Sequence, residues 1–81
     1  MLFRSIIYTL PSCSQCDMTK RMLERNKIEY STIDLSTNQD AVDMVKSLGY
    51  SSAPIVMAGE DHWSGFRIDK LNSLVALANA S

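Results

Sequence analysis

The segment Tyr8-Thr9-Leu10-Pro11-Ser12-Cys13-Ser14-Gln15-Cys16 holds both cysteines of this 81-residue chain. It follows a run at residues 3–9 that is rich in aromatic and β-branched side chains and ends before a proline, which predicts a first strand. Residues 14–26 lack Gly and Pro and carry apolar side chains at helical spacing, which predicts a helix. We therefore expect Cys13 at or just before a helix N-terminus.

A helix N-terminus is a place where a thiol becomes reactive. The backbone dipoles there favour an anion, and a second thiol three residues further on can donate a hydrogen bond to it. The thiolate is the species that attacks disulfides. Cys13 is thus the predicted nucleophile, and Cys16, one turn into the helix, is the predicted resolving thiol. The alternative is a pair of buried structural cysteines, which behave as small hydrophobic side chains.

The middle of the chain predicts a second strand and a second helix. Residues 28–35 read as a strand, and Ser36, Thr37 and Asn38 are candidate helix caps, with Gln39 or Asp40 placed to close a capping box. The following apolar residues recur at helical spacing before Gly49: Ala41, Val42, Met44, Val45 and Leu48.

The last third predicts a hairpin and a third helix. Residues 54–57 are short and apolar, residues 59–61 form a turn, and residues 62–64 read as a fourth strand. Apolar positions from Ile68 to Ala78 indicate a final helix. The order β-α-β-α-β-β-α predicts an α/β fold in one domain over residues 1–81, with a four-stranded mixed sheet flanked by three helices.

Composition and charge exclude several function classes. Eight Lys and Arg against nine Asp and Glu give a net charge of -1, without the cationic excess that nucleic-acid or membrane-surface binding needs. No signal segment is recognisable, and the longest apolar run, residues 53–58, is far shorter than the ~20 residues of a membrane-spanning helix. Two cysteines so close together form no disulfide framework, and such a pair is expected to cycle in a reducing cytoplasm.

A metal site is the other use that the cysteines could have. Tetrahedral zinc takes four ligands, whereas the chain offers two cysteines and the single His62. A dimer or an external ligand would have to complete the set. We therefore expect no bound metal, and we expect the chain to be a monomer.

Three motifs resemble the NrdH-redoxins, a glutaredoxin-like branch of the thioredoxin superfamily. The segment at residues 8–16 is similar to their Tyr-Thr-Lys-Pro-x-Cys-x-Gln-Cys opening. Ala53-Pro54-Ile55-Val56 is similar to their Ala-Pro-Val-Val, and Trp63-Ser64-Gly65-Phe66-Arg67 to their Trp-Ser-Gly-Phe-Arg-Pro. The resemblance spans nearly the whole chain in the right order. It implies a thioredoxin/glutaredoxin-like fold in which a cis Pro54 faces the dithiol and the Ala53 backbone pairs with a partner segment.

The resemblance also implies a function. NrdH-redoxins take electrons from NADPH through thioredoxin reductase, a flavoprotein that uses FAD, and pass them to the large subunit of class Ib ribonucleotide reductase. The chain would then be a thiol-disulfide oxidoreductase that holds no cofactor of its own. Besides the two cysteines, the residues implied for partner binding are Pro11, Ser12, Ser14, Gln15, Ala53, Pro54, Trp63, Ser64, Gly65, Phe66 and Arg67.

Two departures from the family pattern bear on the reductant. Leu10 stands where glutaredoxins and NrdH-redoxins carry a lysine, and Ile68 replaces the proline of the last motif. Without that lysine, and with residues 63–67 in place of the glutathione-binding loop, an anionic tripeptide loses charge partners, so glutathione is disfavoured. A glutathione-dependent glutaredoxin, and a redox-inert or metal-binding module on the same fold, are the competing interpretations.

Several other side chains have two interpretations. Trp63 fits either a partly exposed partner contact or a lid on the core, and Phe66 is expected to be partly core. Ser64, Gly65 and Arg67 form either a hydrogen-bonded turn that shapes the binding surface or a solvated loop. His62 is interpreted as a surface residue. The remaining cationic cluster reads as a solvated helix face with a secondary role in steering an acidic partner: Lys20, Arg21, Arg25 and Lys27.

Overall fold

The computed structural model describes residues 5–80, with side chains as far as residue 78. The elements are β1 (Ser5–Thr9), α1 (Ser14–Arg25), β2 (Tyr30–Asp34), α2 (Gln39–Ser47), β3 (Ile55–Ala58), β4 (Asp61–Ser64) and α3 (Ile68–Ala80). This order confirms the predicted one. The first two residues of the predicted first strand, Phe3 and Arg4, lie outside the described residues.

The four strands form one mixed sheet in the order β2-β1-β3-β4. β2 is parallel to β1, whereas β3 runs antiparallel to both β1 and β4. Because of these directions, the end of β1 lies beside the start of β3 and the end of β4. In register, Tyr8 lies opposite Ile55, and Ile55 lies opposite Ser64. The loops that follow β1, precede β3 and follow β4 therefore meet at one edge of the sheet.

Both faces of the sheet are covered. Successive strand residues point to opposite faces, so Ile7 and Val56 belong to one cluster, and Tyr8 and Ile55 to the other. The first cluster joins the sheet to α1 and α3, and its buried members are Ile7, Leu23, Ile28, Val56, Ala58, Trp63, Leu71 and Leu74. The second joins the sheet to α2 through Ala41 and Val45. Helices α1 and α3 thus share one face, and α2 has the other.

The C-terminus of α1 explains why β2 begins later than predicted. Lys27 adopts the left-handed region with a φ of 57°, and its N–H donates to the Glu24 carbonyl at 3.1 Å. The Ile28 N–H donates to the Leu23 carbonyl at 2.9 Å. These two bonds form a Schellman motif, in which apolar residues at the two ends of the longer bond pack together. Ile28 therefore closes the helix instead of opening the strand, which begins at Tyr30.

The predicted capping box at α2 is wrong, although the cap lies within the predicted group. Asn38 is the N-cap, and its Oδ1 accepts the Ala41 N–H at 3.0 Å. A capping box needs a Glu or Gln as the third helical residue, and that position is Ala41. Gln39 instead donates through Nε2 to Asp43 Oδ1 at 3.0 Å, along the exposed side of the helix.

Two leucines on α3 allow a matched test of the fold. Leu71 is fully buried between α3 and the sheet, whereas Leu77 is 57% exposed. We expect Leu71→Ala to lower the free energy of unfolding by about 2–5 kcal/mol, because it removes buried methyl groups and leaves a cavity. Leu77→Ala should change it by less than about 0.5 kcal/mol. Urea denaturation of the oxidised protein measures both, and equal losses would contradict the assigned face of α3.

Candidate active site

Cys13 is the N-cap of α1. Its backbone is extended, with φ -108° and ψ 103°, and its Sγ accepts the N–H of Cys16 at 3.1 Å. The two cysteines form a disulfide, with Cα atoms 5.2 Å apart. Cys13 is partly exposed, whereas Cys16 is only 1% exposed. The expected position of Cys13 at the helix N-terminus and the better shielding of Cys16 are both confirmed.

A turn at Pro11 and Ser12 leads the chain from β1 into α1. Ser12 has a φ of 57°, in the left-handed region that non-glycine residues rarely adopt. A positive φ directly after a proline is typical of a type II turn. Pro11 and Ser12 are exposed, and so are Ser14 and Gln15 on the other side of Cys13. Cys13, which is partly exposed, is therefore flanked in the sequence by four exposed residues that carry no charge.

The Ala53–Pro54 peptide bond is cis, as the resemblance implies. Pro54 is fully buried and Ala53 is partly exposed. Pro54 directly precedes β3, whose first residue Ile55 lies opposite Tyr8 of β1. The antiparallel pairing of β1 and β3 thus places the Ala53-Pro54 segment at the same edge of the sheet as the dithiol.

The loop after β4 is bonded to both of these segments. The Gly65 N–H donates to the Pro54 carbonyl at 2.8 Å, and the Phe66 N–H donates to Gln15 Oε1 at 3.2 Å. Gly65 has a φ of 88°, which favours glycine at this position. The loop therefore connects Gln15, one of the two residues between the cysteines, with the cis proline. Of the two interpretations of this loop, these bonds favour the hydrogen-bonded turn.

Two further bonds fix the approach to the cis proline. Ser64 Oγ donates to the Ser52 carbonyl at 2.8 Å. Tyr50 Oη and His62 Nδ1 share a hydrogen bond of 2.6 Å, and their rings meet edge to face at 5.5 Å. His62 is exposed as predicted. Its hydrogen bond to Tyr50 also connects the loop that precedes β3 with strand β4. The sequence contains no local signal for this contact, because its partners are separated by a loop and a strand.

Trp63 lies in the core, so its interpretation as a partner contact is wrong. The side chain is 3% exposed and belongs to the cluster under α1 and α3. The cause is its register opposite Val56, which sends both side chains to the face that those helices cover. Its indole N–H has no hydrogen-bond partner among the residues that the structure describes. Phe66 is partly buried against the same cluster, as expected.

Arg67 is exposed and paired with Asp69. Its Nε and Nη2 donate to the two carboxylate oxygens at 3.0 and 2.8 Å. These hydrogen bonds hold the pKa of Asp69 below its ordinary value of 3.8 and raise the pKa of Arg67. The resulting stabilisation is present above the ordinary pKa of Asp69 and is lost as pH falls through the lowered one. Asp69 lies in the first turn of α3, where it offsets an otherwise unfavourable cation.

An apolar pocket of about 220 Å³ opens beside Ala53, on the α2 side of the sheet. Leu10 is 42% exposed at this pocket. The lining residues are Leu10, Leu35, Val42, Val45, Lys46, Tyr50, Ser51, Ser52, Ala53 and Ile55. Sequence reasoning missed the pocket because its walls come from separate segments. The one local signal in the sequence was Leu10, at a position where the family carries a lysine.

The described residues contain no group of three or more His, Cys, Asp and Glu side chains that could hold a metal ion. His62, the histidine weighed as a zinc ligand, is bonded to Tyr50. Among the helices within residues 5–80, none has the length and apolar character to cross a bilayer.

Comparison with known proteins gives one consistent answer. The family model described as Glutaredoxin matches residues 6–63. The glutaredoxin-like protein NrdH of Salmonella typhimurium is 41% identical over 68 residues, which are 84% of each chain. The gene 56 protein of Mycobacterium phage D29 is 33% identical over 79 residues, 93% of this chain and 86% of its own.

A solved structure is also similar. The NrdH-redoxin of Escherichia coli, described as glutaredoxin-like with a thioredoxin-like activity profile, matches with a TM-score of 0.85 at 37% identity. The match covers 88% of this chain and 93% of the other. The fold, the order of the motifs and the sequence identity therefore all point to the same family.

The bond between Gln15 and Phe66 can be tested by hydrogen exchange. In Gln15→Ala the Phe66 amide loses its acceptor, so we expect its exchange to become about fivefold faster, as for a bond of about 1 kcal/mol. The Gly65 amide, bonded to the Pro54 carbonyl, is the internal control and should change less than about twofold. Gln15→Glu keeps an acceptor oxygen and should retain protection. An unchanged Phe66 rate in the alanine variant, measured by NMR, would contradict the contact.

Proposed function

Since the chain belongs to the glutaredoxin family and is similar in sequence and fold to its NrdH-like members, we propose that it carries electrons between proteins as a dithiol–disulfide couple. The proposed reductant is thioredoxin reductase with FAD and NADPH. The proposed acceptor is the large subunit of class Ib ribonucleotide reductase. The observation that carries the proposal is that Cys13 caps α1 and reaches solvent while Cys16 is buried one turn further on.

The proposed reaction is two successive thiol–disulfide exchanges. The Cys13 thiolate attacks one sulfur of the partner's disulfide, so a Cys13–partner bond forms and the partner's other sulfur leaves as a thiolate. The Cys16 thiolate then attacks Cys13 Sγ. The Cys13–Cys16 disulfide forms, and the partner's second sulfur leaves. Two electrons pass from the carrier to the partner, and protons from water complete the two new thiols.

The position of Cys13 supports its role as the attacking sulfur. The sulfur accepts the Cys16 N–H, and an anion at that point is favoured both by this bond and by the helix dipole. Cys16 is shielded from solvent, so a second bulky disulfide does not reach it. The buried sulfur is nevertheless within bonding distance of Cys13, which is what a resolving thiol requires.

The surface around Cys13 suits a protein partner. In the proposed complex an extended partner segment lies along Ala53, with Pro11, Ser12, Ser14 and Gln15 on the opposite side of the sulfur. The loop formed by Ser64, Gly65, Phe66 and Arg67 closes a third side. The pocket beside Ala53 then has room for one apolar side chain of the partner. The proposal treats residues 1–81 as one redox domain that acts as a monomer in the cytoplasm.

Glutathione is the less favoured reductant. Position 10, where glutaredoxins carry a lysine, is an exposed leucine on the wall of the apolar pocket. The guanidinium of Arg67 is engaged with Asp69, so it is a poorer partner for the carboxylates of a tripeptide. The uncharged surface close to Cys13 thus favours a protein segment over a small anion.

A side-by-side reductant assay tests the proposal. The oxidised chain is mixed with NADPH and thioredoxin reductase in one arm, and with NADPH, glutathione reductase and glutathione in the other. Both arms reduce the same protein disulfide. We expect faster turnover in the first arm than in the second. The two charge contacts to glutathione that are missing are worth about 0.2–1 kcal/mol each, so their loss lowers the glutathione-driven rate about two- to thirtyfold. Faster turnover with glutathione would reverse the assignment.

Serine variants separate the roles of the two sulfurs. Cys13→Ser should abolish disulfide reduction, and it keeps the helix start, because serine is a good N-cap. Cys16→Ser should accumulate a mixed disulfide between Cys13 and the partner, visible by non-reducing electrophoresis and mass spectrometry. Disulfide reduction that persists in Cys13→Ser would contradict the proposed nucleophile, and so would a mixed disulfide on Cys16.

Position 10 allows a gain-of-function test. We expect Leu10→Lys to raise the glutathione-driven rate about fivefold, since a new charge pair beside the dithiol contributes about 1 kcal/mol. Leu48→Lys is the matched control, because Leu48 is also exposed but does not line the pocket. It adds the same charge and should leave the rate within about twofold. An equal gain in both variants would contradict this prediction, because the net charge of the chain, and not the side chain at position 10, would then determine the glutathione-driven rate.

A further inference from the structure

A second open groove, of about 370 Å³, lies on the other face of the sheet, between α1 and the start of α3. We call it the α1–α3 groove, and its lining residues are Met18, Arg21, Met22, Arg25, Phe66 and Ile68. The four α1 residues are spaced i, i+3, i+4 and i+7, so they share one face of the helix. None of the proposed exchange steps uses this groove.

The groove combines exposed apolar surface with cations that have no ion pair. Met18 is 41% exposed and Ile68 is 56% exposed, although both are large apolar side chains. Arg21 and Arg25 are exposed and form no salt bridge with any described residue, whereas Arg67 is paired with an aspartate. The chain as a whole has a net charge of -1, so the groove is a local positive patch on a slightly acidic protein.

The groove begins beside the dithiol. Phe66, which forms one end of it, donates its N–H to Gln15 between the two cysteines. Along the α1 axis Met18 lies about 7.5 Å from Cys13, and Arg25 lies about 18 Å from it, at about 1.5 Å per residue. A polypeptide in extended conformation covers this length in about five or six residues. A partner with its disulfide at Cys13 could therefore reach Arg25 with a short adjoining segment.

We propose that the α1–α3 groove binds an acidic amphipathic segment of the protein whose disulfide Cys13 attacks, within about six residues of that disulfide. This inference rests on the proposed function and adds a recognition element to it. An apolar side chain of the segment packs among Met18, Phe66 and Ile68, where methionine adapts to different shapes. Carboxylates of the segment pair with Arg21 and Arg25, since guanidinium groups bind carboxylates through two parallel hydrogen bonds.

The first test uses peptide disulfides. One peptide carries Glu and Leu residues within six positions of an intramolecular disulfide, and a second replaces each Glu by Gln. The rate with each peptide is divided by the rate with a small uncharged disulfide, so that changes in the dithiol itself cancel. For the double variant Arg21→Gln/Arg25→Gln, we expect the relative kcat/KM for the acidic peptide to fall about five- to tenfold. The rate with the Gln peptide should fall less than about twofold.

A matched control removes the same net charge from elsewhere. Lys20→Gln/Lys27→Gln loses two cations on and just after α1 that do not line the groove. It should keep the preference of the parent chain for the acidic peptide. Raising the salt concentration should weaken that preference in the parent and in the lysine variant, but not in the arginine variant. If the two double variants lost the preference for the acidic peptide equally, the proposal would be overturned. Attraction by the overall charge of the chain would then be enough to explain the preference.

A second test does not depend on redox turnover. A cysteine-free form of the acidic peptide is added to the oxidised protein, and backbone amide shifts are followed by NMR. We expect shifts at Met18, Met22 and Phe66 that are absent in Arg21→Gln/Arg25→Gln. Absence of these shifts in the parent chain overturns the groove proposal, even if the chain reduces disulfides. Conversely, failure of the chain to reduce the small disulfide contradicts the proposed function. The amide shifts caused by the peptide still show in that case whether the groove binds an acidic segment.

The oligomeric state decides between a partner protein and a second copy of this chain. Sedimentation of the parent chain and of Arg21→Gln/Arg25→Gln should give the same monomer. A dimer that the arginine substitutions dissociate would assign the groove to self-association and overturn the proposal.

Discussion

The contact between Cys13 Sγ and the Cys16 N–H is the interaction on which the site depends. A helix begins with backbone N–H groups that lack partners inside the helix, and here the sulfur of the N-cap residue accepts one of them. The same contact brings the two cysteines within reach of each other, because the bound amide belongs to the second one. Helix formation, sulfur spacing and stabilisation of an anion therefore all rest on Cys13.

The sheet then determines what surrounds that sulfur. Because β3 runs antiparallel to β1 and β4, three loops that are far apart in sequence meet at one edge. The loops are joined by hydrogen bonds from uncharged groups, such as the backbone N–H groups of Gly65 and Phe66. The one cation of the last loop, Arg67, is paired with Asp69. These three loops thus carry no unpaired charge, which favours recognition through the backbone and apolar side chains of a protein.

Local patterns in the sequence are sufficient for the elements and for the cysteine pair. Proline after a β-rich run, a helix without Gly or Pro, and apolar spacing are short-range signals, so the element order and the position of Cys13 were predictable. The bond from Phe66 to Gln15 joins residues 51 positions apart, and no local pattern encodes it. Trp63 shows the same limit, because only its register opposite Val56 determines the face that it occupies. The cis bond at Pro54 was predictable only from the family resemblance.

The positions of the two depressions bear on the size of the contact that a proposed partner makes at Cys13. The pocket beside Ala53 faces α2, whereas the α1–α3 groove lies on the opposite face, with the dithiol between them. Weak redox encounters bury less than about 1,200 Å² in total, or about 600 Å² on each protein. That is roughly a tenth of the 5246 Å² surface of this chain. A contact of this size is large enough for the dithiol together with both depressions. One proposed partner can therefore occupy the pocket with its segment beside Ala53 and the groove with its acidic segment, on either side of the disulfide that Cys13 attacks.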